Sequence, residues 1–592
     1  MASAETKNCQ NCKVSFTIDA SDFDFYSKIS VPPPTFCPEC RLQRRMAFRN
    51  ERSLYKDICD LCGKNFVSMY SPDKPFKIYC KECWYSDKWD PLEYGREYDF
   101  SRPFFEQFKE LMRVVPRIGI MHIHTNVNAD YSNYVADSKS VYLSQSVIEK
   151  SENVYYSRNI DTGKEIFDCF SVKKSEHCYE NVDGSQNYRC KFMYRSRDCI
   201  DSAFLFDCIN CQDCVMSSNL RNKRFVIRNA QYDKETYITE IKKLGIGKNS
   251  DLEKLKKEFV EMIKVALHKF GNLIKTVNCT GDNIDNAKNV KNSFDAYNSE
   301  NAIYCVRVKD TTDSYDVLGA LTELAYEMLA GGYGSRNSHF TDHSDATVES
   351  EYTNWCQNSA YLFGCAGLRK KQYCIFNKRY SKESFGELKK RIIAHMNEMP
   401  YADKKGRVYA YGGFFPAELS PFAYNETLVQ EHFPLTKKEA LEWGYAWRDS
   451  DQSPHKPTIV AKDLPDDIAS IQNTITNEII SCSECEKPYR ILKQELGFLK
   501  QHLIALPHSC PECRHKARFN LRNPLKLWHR RCNCNGARID AEQNADRRGI
   551  KYINTAKHFH GENPCQNEFE SSYASGRPET IYCEQCYNSE VA

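Results

Sequence analysis

The sequence predicts a multidomain, mainly β protein in which tandem cysteine modules at both termini flank a duplicated β-solenoid-like middle with inserted α-helices. Three observations carry this. Four CxxC pairs open the chain: Cys9/Cys12, Cys37/Cys40, Cys59/Cys62 and Cys80/Cys83. A shift of 473 residues turns the first five of these cysteines into Cys482, Cys485, Cys510, Cys513 and Cys532, and a shift of 503 turns the last three into Cys565, Cys583 and Cys586. In the middle, cysteines recur nine apart, at Cys169/Cys178, Cys190/Cys199/Cys208 and Cys356/Cys365/Cys374.

A chain of 592 residues is too long for one core. Its net charge of +3 gives no global field for nucleic acid or membrane, so any electrostatic case is local. The pairing of many of the 29 cysteines as CxxC favours thiolate–metal chemistry over disulfides and hence a reducing compartment. No apolar leader and no apolar run of membrane-spanning length is present, so the expected location is the cytoplasm.

In chain order, residues 1–98 form the first double module and 99–231 a first β-solenoid-like segment preceded by a capping helix. That helix is amphipathic, with Ser101 as cap, Pro103 in its first turn, a stripe from Phe104 to Val115, and Pro116 as its stop. It is expected to seal an end of the domain that follows. The segment itself lacks helical period and reads as short units of small polar residues followed by an aromatic or cysteine. Stacked coils bury such units, and two nine-residue steps predict a coil of 18 residues. Residues 232–276 read as a helical insert and 277–380 as the second solenoid-like segment, since residues 222–237 match 370–385 at an offset of 148. Within it, the stretch from Val317 to Ser335 fits either a helix or further coils. Residues 381–448 are a helix and an aromatic region with Thr436 as a helix cap, 449–475 a linker and short helix, and 476–592 the second double module.

Each CxxC turn lets two thiolates reach one metal, and two turns complete a tetrahedron, so the expected cofactor is Zn2+ in four structural sites. The ligands are Cys9, Cys12, Cys37 and Cys40; Cys59, Cys62, Cys80 and Cys83; Cys482, Cys485, Cys510 and Cys513; and Cys532, Cys565, Cys583 and Cys586. Matched spacings of 24 residues in the first and third sets, and of 17 in the second and fourth, support this. An insert of about 30 residues splits the fourth set and brings Cys534, an alternative to Cys532, together with His558 and His560, which are alternative ligands but read better as ordinary surface side chains. Closed sets of thiolates argue for a metal that supplies folding energy rather than catalysis. Cys208, Cys211 and Cys214 open like an iron–sulfur run but lack its continuation, and read as core or turn thiols.

Arg41, Arg45 and Arg49 lie four apart and make one stripe on a helix; Arg514, Arg518 and Arg522 repeat it. Such a stripe on a rigid knuckle is suited to phosphates, and equally to the protein's own carboxylates. No nucleophile–base pair stands out.

At "FCPECR", "YSPDKPFKIYCKEC", "FGCAGLRKKQYCIFNKRYSKE" and "GGFFPAELSPFAYNE" the chain resembles a family of bacterial proteins with zinc ribbons at both ends and a Cys/Tyr-rich repeat middle. The modules are similar to zinc-ribbon or treble-clef domains, a likeness that implies nucleic-acid, ribosome or protein binding and brings no established activity. The expected function is therefore a non-enzymatic, zinc-binding protein that contacts RNA or a ribonucleoprotein through the arginine helices. The alternative is a protein-interaction scaffold that uses the solenoid surface. An enzyme with a site in the solenoid groove comes third.

Overall fold

The computed structural model describes residues 3–449, 455–536, 552 and 554–591; the start of the expected linker and residues 537–551 and 553 of the insert lie outside the described residues. The chain is multidomain and mixed α/β, with parallel sheets in its middle and cysteine clusters near both ends. It forms two compact units, each discontinuous in sequence. One unit combines Met1–Met121 with Leu273–Asp449, and the other combines His122–Asn272 with Ser450–Ala592. Each terminal module thus belongs with the segment of the middle that is farther from it in the chain.

The middle segments wind with a pitch of twelve residues, not 18. Gln145 pairs in parallel with Asn133, Lys164 with Glu152, and Phe170 with Arg158; the second segment repeats this at Gly281/Ser293, Phe294/Val306 and Ser338/Ser350. The unit beneath this pitch is a triplet. From Asn153 to Arg228 every third residue has a positive φ, and the same holds from Asn283 to Asp316. Four triplets, each closed by a left-handed residue, make one turn. Nine is three triplets, which is why the cysteines recur at nine while the rungs stack at twelve. Where Glu149 and Lys150 are both left-handed, one turn takes thirteen residues, so Val141 pairs with Val154.

Left-handed backbone is unfavourable for L residues, least so for Asn and Asp. The second segment uses them: Asn283, Asn286, Asn289, Asn292, Asp295, Asn298 and Asn301 are successive triplet corners. Their side chains also tie the turns together, with Asn286 donating to Asn298 (2.9 Å) and Asn289 to Asn301 (3.0 Å). Buried hydroxyls do the same inside. Ser157 Oγ accepts from the N–H of Cys169 (2.9 Å) and donates to the Tyr155 carbonyl (2.8 Å), while the Ser157 N–H donates to Ser144 Oγ (3.0 Å). This satisfies backbone groups that a coil of short strands leaves unpaired. The remaining interior is a narrow column of small apolar rungs, such as Val141, Val154, Ile166, Cys178 and Cys190. Cys208, Cys211 and Cys214 belong to this column; each S–H donates to the carbonyl two residues back, at Phe206, Ile209 and Gln212.

The stretch from Val317 to Ser335 is β, within strands Thr312–Glu323 and Tyr326–Asp342. Its triplets extend the winding, and Gly319 and Gly331 leave no room for a Cβ against the backbone of the next turn. The amphipathic helix Phe104–Val114 does not seal the winding that follows it. Phe104 packs on Phe363 (5.5 Å) and Phe376 (5.3 Å) of the second winding. In the other unit, helix Asn249–Val265 places Phe259 on Phe204 (5.6 Å). Helix Lys382–Glu398 follows the second winding, capped by Ser381, and Thr436 caps Lys437–Glu442 through a reciprocal bond with Glu439. Among the described residues no helix is long and apolar enough to cross a membrane.

The Asn corners yield a test. Replacing Asn289 by Val puts a β-branched residue at a φ of 54° and removes two inter-turn bonds. It is expected to cost about 1–2 kcal/mol for the backbone alone, with faster amide exchange at residues 281–303. Asn289→Gly, which keeps the backbone and loses only the bonds, is expected to cost less.

Candidate metal and clamp sites

Three of the four modules build their cysteine sets in one way, and the fourth shares part of the plan. The first pair sits in the turn of a two-stranded hairpin: Glu5–Asn8 with Ser15–Ile18, Tyr55–Ile58 with Asn65–Ser68, and Ile480–Ser481 with Pro488–Tyr489. A left-handed residue closes each turn, namely Lys13, Gly63 and Glu486. The second pair opens a helix, with Cys37, Cys80 and Cys510 as N-caps of Pro38–Met46, Lys81–Trp84 and Pro511–Phe519. The N–H of that capping cysteine donates to the sulfur of the module's first cysteine: Cys37 to Cys9 (3.3 Å), Cys80 to Cys59 (3.3 Å) and Cys510 to Cys482 (3.2 Å). In the fourth module Cys583 donates to Cys532 (3.2 Å), although strands Trp528–Arg531 and Glu568–Ser571 flank an insert.

In every set the four sulfurs lie within 4.8 Å of one another. Burial opposes thiolate formation at Cys59 and Cys482, yet N–H groups from the neighbouring turns outweigh it and lower both thiols to about 7. Four convergent thiols, at least one held near its anionic form, are the donor set of a closed tetrahedral zinc site. The four groups expected from the spacing are thus each brought together and are compatible with structural zinc. Cys534 is not in the fourth tetrad; it lies in a further group with His558, His560 and Cys586.

The arginine stripes point inward. Arg41 and Arg45 both grip Asp316, with Arg41 Nε at 2.9 Å and Arg45 Nη2 at 2.9 Å from its two oxygens. Arg514 and Arg518 both grip Asp168, at 3.3 and 2.8 Å. Arg49 pairs with Glu51 (2.6 Å) and Arg522 with Asp183 (2.9 Å). The side chains of these six arginines are at most 8% exposed. They are closed to a phosphate, because they are buried against the protein's own carboxylates. Asp316 beside Arg41 holds its guanidinium well above the ordinary value although burial opposes the charge, and Asp168 does the same for Arg514.

The two clamps correspond residue by residue. A shift of 473 relates the module residues Asp22, Phe25, Arg41 and Arg45 to Glu495, Phe498, Arg514 and Arg518. A shift of 148 relates Tyr156, Phe167 and Asp168 on one winding to Tyr304, Tyr315 and Asp316 on the other. Phe25 stacks on Tyr315 at 3.9 Å and Phe498 on Phe167 at 4.2 Å. Arg41 lies over Tyr304 at 5.3 Å and Arg514 over Tyr156 at 5.0 Å. The two repeats therefore meet at one interface, so each is half of a single module-and-coil unit. Both aspartates are left-handed corner residues with no exposed surface. The second module of each pair adds its own contact. Arg369 lies 4.9 Å over Trp84, and at the matching places Arg221 donates to the Tyr587 hydroxyl (3.1 Å).

Sequence reasoning missed Asp168, Asp316 and Glu327. Glu327 accepts two bonds from Arg44 (3.1 and 2.8 Å) and one from the Phe414 N–H (2.6 Å). For the aspartates a signal existed, since the repeat offset places one exactly 148 residues after the other.

Removing one partner from a buried, matched ion pair leaves an uncompensated charge. Asp316→Ala or Asp168→Ala strands two guanidiniums and is expected to destabilise its unit by roughly 3–5 kcal/mol. The loss should appear as amide exchange in helix Pro38–Met46 or Pro511–Phe519 respectively. Arg52→Ala, at a half-open pair with Glu431, is expected to cost about 0–1 kcal/mol. Compared with known proteins, the chain matches no family model and no curated protein.

Proposed function

We propose that the four tetrads each hold a structural zinc and that the chain is a non-enzymatic scaffold whose coil faces bind a protein partner. The observation that carries this reading is the burial of the arginine stripes against Asp316 and Asp168. The modules spend their basic residues on gripping the windings, so an RNA or ribonucleoprotein contact through Arg41, Arg45, Arg49, Arg514, Arg518 and Arg522 requires module and winding to separate first. What faces outward on the windings is regular instead. Rows of paired charges run at the pitch of the coil, as in Lys139/Glu152, Arg189/Asp201 and Lys288/Glu300. Exposed apolar rungs sit among them, Tyr188 beside Ile200. Such mixed, near-neutral rows suit a protein surface better than a phosphate backbone. A cavity of 610 Å³ in the first unit is lined by Pro32, Pro33, Pro34, Phe36, Tyr409 and Tyr411. The Arg44 and Glu327 in its wall are already paired with each other, which leaves them poorly suited to acid–base work.

Purification of the full chain from its native host, with metal analysis and identification of what accompanies it, tests the reading. At least one zinc per tetrad and a protein companion are expected. Strong chelation should remove the metal and expose Pro38–Met46 and Pro511–Phe519 to exchange, because small polar modules hold their fold through the ion. Co-purifying RNA whose retention falls steeply with salt would move the function to nucleic acid.

A further inference from the structure

The insert that splits the fourth tetrad brings three donors to one side of it. Cys534, His558, His560 and Cys586 place their ligand atoms within 4.8 Å of one another, and Cys586 is also a member of the Cys532, Cys565 and Cys583 set. The second module of the N-terminal pair, Cys59, Cys62, Cys80 and Cys83, has no such insert and no such second group.

Both histidines are oriented as metal ligands are. His558 has no exposed side-chain surface, and its Nε2 lies 2.8 Å from Glu590 Oε1. Its Nδ1 is buried and has no hydrogen-bond partner. A buried ring nitrogen left bare while the other meets a carboxylate is the arrangement in which a carboxylate fixes the tautomer of a metal-binding imidazole. Glu590 is itself held by the N–H groups of Thr555 (2.9 Å) and Ala556 (3.2 Å) and by the Tyr552 hydroxyl (3.1 Å). It sits one helical turn after Cys586 on helix Glu584–Val591. His560 repeats the pattern. Its Nδ1 lies 2.6 Å from the Asn563 carbonyl, to which it donates, and its Nε2 lies 3.2 Å from Cys586 Sγ. Cys534 is fully buried, and its sulfur accepts from Asn554 Nδ2 (3.5 Å). Its carbonyl accepts from the N–H of Cys565 (2.8 Å), which ties the two groups together through the backbone.

We propose that the C-terminal module is a two-metal centre: a second zinc is held by Cys534, His558, His560 and Cys586, and the Cys586 thiolate bridges it to the zinc of the fourth tetrad. This rests on the reading of the tetrads as zinc sites. Two thiolates and two imidazoles are a closed zinc set, and a tetrahedral site with no open position is structural. Two dications beside five thiolates leave a net charge near −1, so a bridging sulfur is electrostatically reasonable where seven protein ligands serve eight positions. The insert then has a structural purpose, since its two ends are pinned by the second ion.

Native mass spectrometry of the zinc-loaded full chain decides it. The wild type is expected to carry five zinc ions and the His558→Ala/His560→Ala variant four. Cobalt(II) replacing zinc gives a second readout independent of stability. Thiolate-bridged cobalt ions couple magnetically, so the electron paramagnetic resonance signal per cobalt is expected to be smaller in the wild type than in the variant. A wild-type count of four, unchanged by the double substitution, overturns the second ion and leaves the tetrads intact. A count of four that falls to three in the variant overturns the bridge, because one ion then uses the histidines. A wild-type count below four strikes at the tetrads themselves.

Discussion

A corner aspartate facing two guanidiniums is the contact on which each unit depends. Asp316 and Asp168 sit at left-handed positions of their windings without exposed surface, and each takes two arginines from a module helix. Charges taken out of water in this way gain little net stability when matched and lose much when one is missing. The pair therefore acts chiefly as a specificity device: a winding without its module, or a module without its winding, buries a bare charge. The stacked rings beside it, Phe25 on Tyr315 and Phe498 on Phe167, supply the apolar area that a polar module otherwise lacks.

Tetrad and clamp are linked through one short helix. Cys37 and Cys40 begin Pro38–Met46, and Arg41, Arg44 and Arg45 complete it. The tetrad fixes the first turn of a helix of nine residues, which is too short to be stable alone. The arginines then leave that turn at set angles, four residues apart. Loss of the tetrad would release the guanidiniums, and loss of Asp316 would release the helix while sparing the thiols.

Much of this was legible in the sequence, and the limits have physical causes. Fourteen thiols of the four tetrads were legible because a CxxC turn is local, and Cys532 and Cys565, which the insert separates, followed from the repeat offsets. The two repeat offsets were legible as well, since duplication needs no geometry. The pitch of the winding was not read correctly. A nine-residue recurrence of cysteine admits several coils, and the decisive period of three was carried by Asn and Asp at 283–316, which pass as ordinary turn residues. The direction of the arginines lay beyond reach for another reason. Their partners are 275 residues away for Arg41 and farther for Arg518, and a charge stripe looks the same whether it meets phosphate or carboxylate. The helix Phe104–Val114 was found, but Pro103 rather than Ser101 stands at its N-cap, and its target was misassigned because proximity in sequence favours the following domain, whereas the units are crossed.

That crossing has a bearing on synthesis. The chain leaves the ribosome from its N-terminus, so the first module emerges complete while Asp316, 275 residues downstream of Arg41, is still to be made. At ~5–20 residues per second the wait is tens of seconds. During it the stripe of Arg41, Arg44 and Arg45 lacks Asp316 and Glu327, and the nascent chain displays basic side chains that the finished protein conceals. The C-terminal half meets the reverse order: its winding is made first, and Asp168 waits for Arg514 and Arg518 to arrive. The two copies of the module-and-coil unit thus mature with opposite charges exposed, the first basic and the second acidic.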